Sequence, residues 1–206
     1  LNTAAGRISA SDIEFARGVY RAKVGVNNID VRQLSPQIPQ SFPGKLTGTF
    51  NIAGSSISVD YVNVSGNAAI NAAGGKITAS NIGVNNGRYQ AVLNAAGVEL
   101  NKLNQRLKGK FASNLRVAGN LRNPSLADIR ANGQVQFSQG IPGFEKPINA
   151  VIAWTGNKLR IEKAAAPGLN ISGDIFANAK GAGRPQITQL DLNVQASYFD
   201  LQQLPV

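Results

Sequence analysis

The residues that could carry catalysis are few and widely spaced. The chain has 206 residues with no His and no Cys, which excludes His- or Cys-ligated zinc, thiolate nucleophiles, Ser-His-Asp triads and disulfides. Among the eleven acids, only Asp12 and Glu14 lie close together in sequence. Paired carboxylates could hydrolyse a glycan, but in a second copy of this segment the equivalent residues are Asn81 and Gly83. We therefore expect no enzymatic activity, no catalytic residue, no cofactor and no metal.

The charge is strongly positive, with 21 Lys and Arg against 11 Asp and Glu and a formal net charge of +10. Such a balance raises nucleic acid, anionic lipid or another acidic surface as a partner. The cations occur singly and alternate with apolar residues, as Arg21 and Lys23 do, and the aromatic residues do not cluster with them. This pattern favours a solvated strand face and no nucleic-acid partner. No apolar run approaches the roughly 20 residues of a membrane-spanning helix, so we expect a segment that does not span a membrane.

The elements that would position any site are β-strands. Apolar and polar residues alternate over most of the chain, most clearly from Ile129 to Ser138. Pairs typical of tight turns separate the alternating runs; they are Gly74-Gly75, Asn86-Gly87, Asn132-Gly133 and Gly156-Asn157. Helical spacing is confined to Gly97–Gly109, which predicts one short helix at most. The sequence predicts an all-β, antiparallel meander.

The chain also repeats itself. Gly6–Ile13 reappears as Gly75–Ile82, an offset of 69 residues from residue 6 to residue 75, and the offset carries Ile29–Leu34 onto Val98–Leu103. A third echo, Phe199–Leu204, lies near the end. We predict a single fragment, residues 1–206, of a longer repeat domain, with units of approximately 1–69, 70–170 and 171–206. Such units bury their apolar faces by stacking on one another.

An acid recurs in each unit just before the Leu-x-x-Leu element. These acids are Asp30, Glu99 and Asp200. Because a side-chain oxygen at such a position can accept a hydrogen bond from the first turn of a helix, we predict a structural, capping role for them.

Several motifs together resemble a known family. Val117–Leu126 followed by Gly133–Phe137 is similar to the Gly-x-Leu-x-x-Pro-x-Leu and Gly-x-Val-x-Phe signature of the AsmA/TamB superfamily. Gly87–Ala91 and Leu46–Gly54 resemble especially the TamB-type proteins of cyanobacteria and chloroplast envelopes. The resemblance covers essentially the whole chain through short, repeated motifs.

The resemblance implies an interior segment of a long periplasmic protein anchored in the inner membrane, or of its relative in the chloroplast intermembrane space. It implies one elongated, U-shaped (β-taco) sheet with a hydrophobic groove. Members of this superfamily are thought to carry phospholipid from the inner to the outer membrane, supporting outer-membrane biogenesis together with an outer-membrane barrel of the BamA/TamA type. Plant relatives are linked instead to protein import across the envelope.

Alternation assigns a set of apolar residues to the inward face, where they would contact phospholipid acyl chains. These candidates are Val117, Leu121, Ile129, Val135, Phe137, Ile152, Trp154, Ile161, Ile171, Ile175, Leu190, Leu192 and Val194. The same pattern fits the packed core of a β-sandwich, and the repeats also fit a structural cell-surface β-solenoid or stalk. The resemblance to the plant relatives implies a further alternative, an envelope protein-translocation scaffold. The small inward residues, Gly133 and Gly173 among them, either leave room in a groove or mark sites of twist and bulge.

Overall fold

The computed structural model describes residues 2–3, 6–33, 44–55, 58–103, 105, 107–122, 125–139, 146–178 and 186–197. This part of the chain is all-β, as predicted. The strands are β1 (Asn2–Thr3), β2 (Gly6–Ala16), β3 (Val19–Asp30), β4 (Gly44–Ser55), β5 (Ser58–Ala72), β6 (Gly75–Asn85), β7 (Arg88–Glu99), β8 (Lys110–Asn120), β9 (Arg130–Phe137), β10 (Ile148–Trp154), β11 (Lys158–Ala166), β12 (Leu169–Asn178) and β13 (Gln186–Ala196). Two 3-10 turns, Val31–Gln33 and Leu100–Lys102, follow β3 and β7.

The thirteen strands form one antiparallel sheet in which each strand pairs with its neighbours in sequence. The sheet is open and curved, and no second sheet packs over either face in the described residues. The β-sandwich alternative is therefore wrong for this part of the chain. The strand ends form two opposite sides of the sheet. We call the side where β3 and β7 end, next to the two 3-10 turns, the 3-10 edge. We call the opposite side, which contains the turns of the β2–β3 and β6–β7 hairpins, the hairpin edge.

The backbone repeats at the same offset of 69 residues as the sequence. Asp12 and Asn81 have φ angles of 52° each, and both lie at β-bulges, where the register of β2 with β3 and of β6 with β7 shifts. The hairpin turns Arg17-Gly18 and Asn86-Gly87 also match, with φ angles of 51° and 76° in the first and 50° and 74° in the second. Bulges increase the local twist of a strand, so the sheet bends at corresponding places in both units.

One local prediction from the sequence is confirmed and one is wrong. In the described residues of Gly97–Gly109 the helical signal, limited to one short helix at most, corresponds to the 3-10 turn Leu100–Lys102; Gly97 and Gly109 lie outside the helical region, with φ angles of 65° and 81°. The Asn132-Gly133 pair is not a turn. It lies within β9, where Gly133 is in register with Leu115 and Ile152.

Gly133 and Gly173 are explained by the conformation of the backbone rather than by the need for space in a groove. Their φ angles are 144° and 132°, which only glycine adopts without strain. A Cβ atom on Gly133 would lie 2.1 Å from the carbonyl oxygen of Asn114, and one on Gly173 would lie 2.1 Å from that of Asp191. Both glycines therefore permit close approach of the neighbouring strand.

The buried core is small and lies mainly at the 3-10 edge. Ile29 and Val31 are 3% and 2% exposed, and their equivalents Val98 and Leu100 are 2% and 8% exposed. Val98 packs against Phe111 and its neighbours in a cluster at the end of β7. Each 3-10 turn thus lies next to a small cluster of buried apolar side chains at one end of the strands, while the middle of the sheet has no covering layer in the described residues.

Candidate functional site

Cross-strand register places eleven of the thirteen predicted groove residues on one face of the sheet, because directly paired residues share a face. Three rows cross the strands from β8 to β13. The first row is Val117, Ala131, Trp154, Leu159, Ile175 and Leu190; the second is Leu115, Gly133, Ile152, Ile161, Gly173 and Leu192; the third is Ser113, Val135, Ala150, Ala164, Ile171 and Val194. Phe137 lies beside the third row, opposite Phe111 and Ile148. We call this surface the apolar face.

The remaining two candidates, Leu121 and Ile129, lie outside the strands. Leu121 follows β8, is 54% exposed, and donates its backbone N–H to the carbonyl of Gly87 at 2.7 Å. Ile129 immediately precedes β9, in the connection that crosses the hairpin edge. Both therefore lie at the margin of the apolar face rather than in its rows.

The apolar face extends into the N-terminal half, which the candidate set omits. Register carries the same surface through β2 to β7, and its larger members there include Ile8, Phe15, Tyr20, Val24, Val26, Leu46, Phe50, Ile52, Val64, Ile70, Ile77, Ile82, Val84, Tyr89 and Leu93. The signal for these residues was present in the sequence, since the same alternation runs through both repeat units. The candidates were drawn only from the second half of the chain.

The exposure of the apolar face rises from its middle toward its two ends. Val135 is 7% exposed, whereas Leu190 in β13 and Phe15 in β2 are 58% and 69% exposed. Most side chains between these limits are half-buried by neighbours on the same curved face. The face is therefore a continuous apolar surface that the described residues leave accessible.

Trp154 has a structural contact in addition to its place on the apolar face. Its indole Nε1–H donates to the carbonyl oxygen of Leu126 at 2.9 Å. That bond attaches the connection between β8 and β9 to the end of β10. The polar end of the ring is thus satisfied at the hairpin edge while its apolar body shares a row with Val117 and Ile175.

Asp30 and Glu99, the two recurring acids within the described residues, form ion pairs at the 3-10 edge. Asp30 accepts hydrogen bonds from the side chain and the backbone N–H of Arg32, at 2.9 Å to Nε and 3.1 Å to N, and Lys45 Nζ lies 3.7 Å away. The hydrogen bond from the Arg32 guanidinium holds the pKa of Asp30 well below its usual range. The backbone bond confirms the predicted capping role for Asp30.

Glu99 does not follow the capping prediction. It makes no capping hydrogen bond; instead its carboxylate pairs with Lys102 Nζ at 2.9 Å, and that bond lowers its pKa. The side chain of Glu is one methylene longer than that of Asp, so it reaches across the turn rather than back to the backbone. Asp200 lies outside the described residues.

A third ion-pair cluster lies on the opposite, polar face. Asp174 pairs with Arg160 at 3.0 Å and with Lys158 at 3.3 Å, and the bond from Arg160 lowers its pKa. Arg160 and Asp174 are direct cross-strand partners in β11 and β12. The pairing therefore fixes two strands to one another, which is a structural use of this carboxylate.

No described group of three or more His, Cys, Asp or Glu residues is arranged to hold a metal ion. No helix within the described ranges has the length and apolarity needed to cross a membrane. Comparison of the sequence with protein-family models and with curated proteins, and of the fold with solved structures, finds no match.

Proposed function

We propose that this chain is a segment of a bridge-like lipid conduit, in which phospholipid acyl chains move along the apolar face. The observation that supports the proposal is the continuity of that face across all strands from β2 to β13 without a covering layer in the described residues. The resemblance to the AsmA/TamB superfamily supplies the proposed setting: an envelope compartment between two membranes, with a BamA/TamA-type barrel as partner of the full protein.

The aliphatic side chains of the three rows favour binding of an acyl chain without fixing its position along the sheet. Each methylene removed from water contributes about 0.8 kcal/mol, whichever aliphatic side chain it contacts. Strands lie about 4.8 Å apart, so the twelve strands from β2 to β13 extend the surface over about 53 Å. Because successive rows present similar aliphatic side chains, an acyl chain exchanges one contact for an equivalent one as it moves. Similar contact energies along the path are a requirement for sliding.

A filled interior would be expected of a structural stalk. Ile152, Ile161 and Ile171 have a paired strand on each side and yet stay partly exposed, with no layer over them in the described residues, which supports a ligand-binding surface instead. Monomeric proteins rarely leave a contiguous apolar surface of this extent uncovered without a binding role.

Adjacent residues on β13 provide a matched test. Leu192 belongs to the apolar face, whereas Asn193, the next residue, pairs with Ser172 on the polar face, and both are exposed. A photo-reactive amino acid at position 192 should capture phospholipid from cells expressing the protein, and the same group at position 193 should capture much less. Lipid extraction and native mass spectrometry of the purified chain should also return phospholipid. Equal capture at the two positions, or no lipid by either method, would contradict the proposal.

A further inference from the structure

A cleft lies at the hairpin edge, and its polar side is not used by the proposed conduit. It spans β6 to β9, has a volume of about 1070 Å³, and we call it the polar cleft. Val84 and Tyr89 of the apolar face line one side, and the polar lining includes Asn85, Asn86, Arg88, Asn120, Asp128 and Arg130. Gln90, Ala118 and Arg130 form one cross-strand row, and Arg88 and Asn120 are partners in the next. The small side chain of Ala118 leaves a depression between the two arginine-bearing strands.

The two arginines of the polar cleft have free hydrogen-bond donors. The Arg88 side chain forms no hydrogen bond or ion pair with another residue in the described part of the chain, and it is exposed. Arg130 donates from Nη1 to the carbonyls of Ala127 and Ile129, both at 2.9 Å. These bonds orient the guanidinium and leave its Nε and Nη2 donors available. One partly anchored arginine and one without a side-chain partner, on β9 and β7 of the same cleft, are suited to binding a tetrahedral oxyanion between them.

We propose that the polar cleft binds a phosphate group, held between Arg88 and Arg130. The amides of Asn85, Asn86 and Asn120 add donors for the remaining phosphate and ester oxygens. The site lies at the hairpin edge, so a soluble phosphate ester and the headgroup of a phospholipid can both reach it. The proposal stands on the polar face and does not depend on the lipid-conduit proposal.

A second cleft occupies the corresponding strands of the first repeat unit. It spans β2 to β5, has a volume of about 370 Å³, and is lined by Arg21 and Lys23 but also by Asp12 and Glu14. Its two cations are matched by two acids, whereas the polar cleft has Arg88 and Arg130 against Asp128 alone. The first cleft is smaller and electrically balanced, so we expect phosphate to prefer the polar cleft.

The test is a titration of the chain with sn-glycerol 3-phosphate in phosphate-free, low-salt buffer, followed by backbone amide chemical shifts, with glycerol as the neutral control. Shifts should change around Arg88, Gln90, Asn120 and Arg130. Arg88→Gln should weaken binding about tenfold, as expected for loss of a charge-assisted hydrogen bond. Lys163→Gln removes the same charge from the polar face nearer the 3-10 edge and should change the affinity less than about twofold.

A substitution at Asp128 should strengthen phosphate binding rather than weaken it. Its carboxylate lines the polar cleft and repels an anion, so Asp128→Asn should tighten phosphate binding several-fold. Shifts spread evenly over the cations of the chain would overturn the proposal. It would also be overturned by equal effects of Arg88→Gln and Lys163→Gln, or by no tightening in Asp128→Asn.

A soluble short-chain lipid distinguishes the two proposals. Dihexanoylphosphatidylglycerol, kept below its micelle concentration, should shift the polar cleft if the phosphate site exists, and the apolar-face residues Leu93 and Leu115, which do not line the cleft, if acyl chains bind there. Shifts in the polar cleft alone support the phosphate site and count against the conduit. Shifts on the apolar face alone, without any response to glycerol 3-phosphate at Arg88, overturn the phosphate site and leave the conduit standing.

Discussion

The substitution Ile171→Arg tests the apolar face at a half-buried position. Ile171 lies in β12 between Ala164 and Val194, its register partners on either side. A guanidinium there replaces aliphatic contact with a charge, and an acyl chain that avoids it leaves about two to three methylenes in water. At about 0.8 kcal/mol each, the loss is about 2 kcal/mol, or about 30-fold in affinity. Ser172→Arg is the matched control, since Ser172 is the next residue and faces the polar side, opposite Asn193.

The assay is displacement of a fluorescent fatty acid from the purified chain, with circular dichroism and thermal unfolding of both variants to verify that the sheet is intact. Ile171→Arg should bind the probe about 30-fold more weakly than the parent, and Ser172→Arg should bind it within about twofold. Equal losses in the two variants, or an unchanged affinity in Ile171→Arg, would refute the assignment of the face. Val135 is a poorer choice, because at 7% exposure a charge there primarily tests folding.

Two further predictions concern what holds the sheet. Gly133→Ala should lower the free energy of unfolding by more than about 2 kcal/mol in urea, because the added Cβ would meet the Asn114 carbonyl and the backbone φ is 144°. Gly83→Ala is the control, because its Cβ would make ordinary contacts, and it should be neutral or slightly stabilising. Similar effects of the two substitutions would contradict the role of Gly133. Because ion pairs lower the pKa of Asp30 and Asp174 in the folded state, their stabilisation should be complete above the ordinary Asp value of 3.8 and be lost as the pH falls below it. Unfolding midpoints measured across this range should fall toward acid pH, and Asp174→Asn should reduce that dependence; an unchanged profile would contradict it.

The strands were predictable because their alternation is local. From Ile129 to Phe137 every second residue is apolar or small, and this period is enough to place Val135 and Phe137 on one face before any pairing is known. The repeat extended the prediction from single strands to a meander with equivalent units. Both signals depend on side-chain order along the chain, which folding preserves.

The position of the glycines was not predictable in the same way. An Asn-Gly pair is the strongest short-range signal for a hairpin turn, yet Asn132-Gly133 lies in mid-strand because Gly133 receives the close approach of β8. That approach depends on a partner 19 residues away, from Asn114 to Gly133, and no local rule contains it. Whether the apolar face would be covered is a property of the whole sheet. The alternation alone favoured a sandwich core, and only the repeats and the family resemblance pointed to the open sheet that the structure has in its described residues.

The open face raises the question of what stabilises a sheet whose middle has no second layer. The structure places its buried cores at the 3-10 edge, around Val31 and Leu100, and its bends at the bulges of Asp12 and Asn81. The ladder and these edge cores therefore hold the sheet and its curvature without contributions from a layer packed over the apolar face. Stability and ligand contact then reside in different residues. For this reason Ile171→Arg is expected to remove lipid binding while the sheet stays folded, whereas Gly133→Ala is expected to weaken the fold itself.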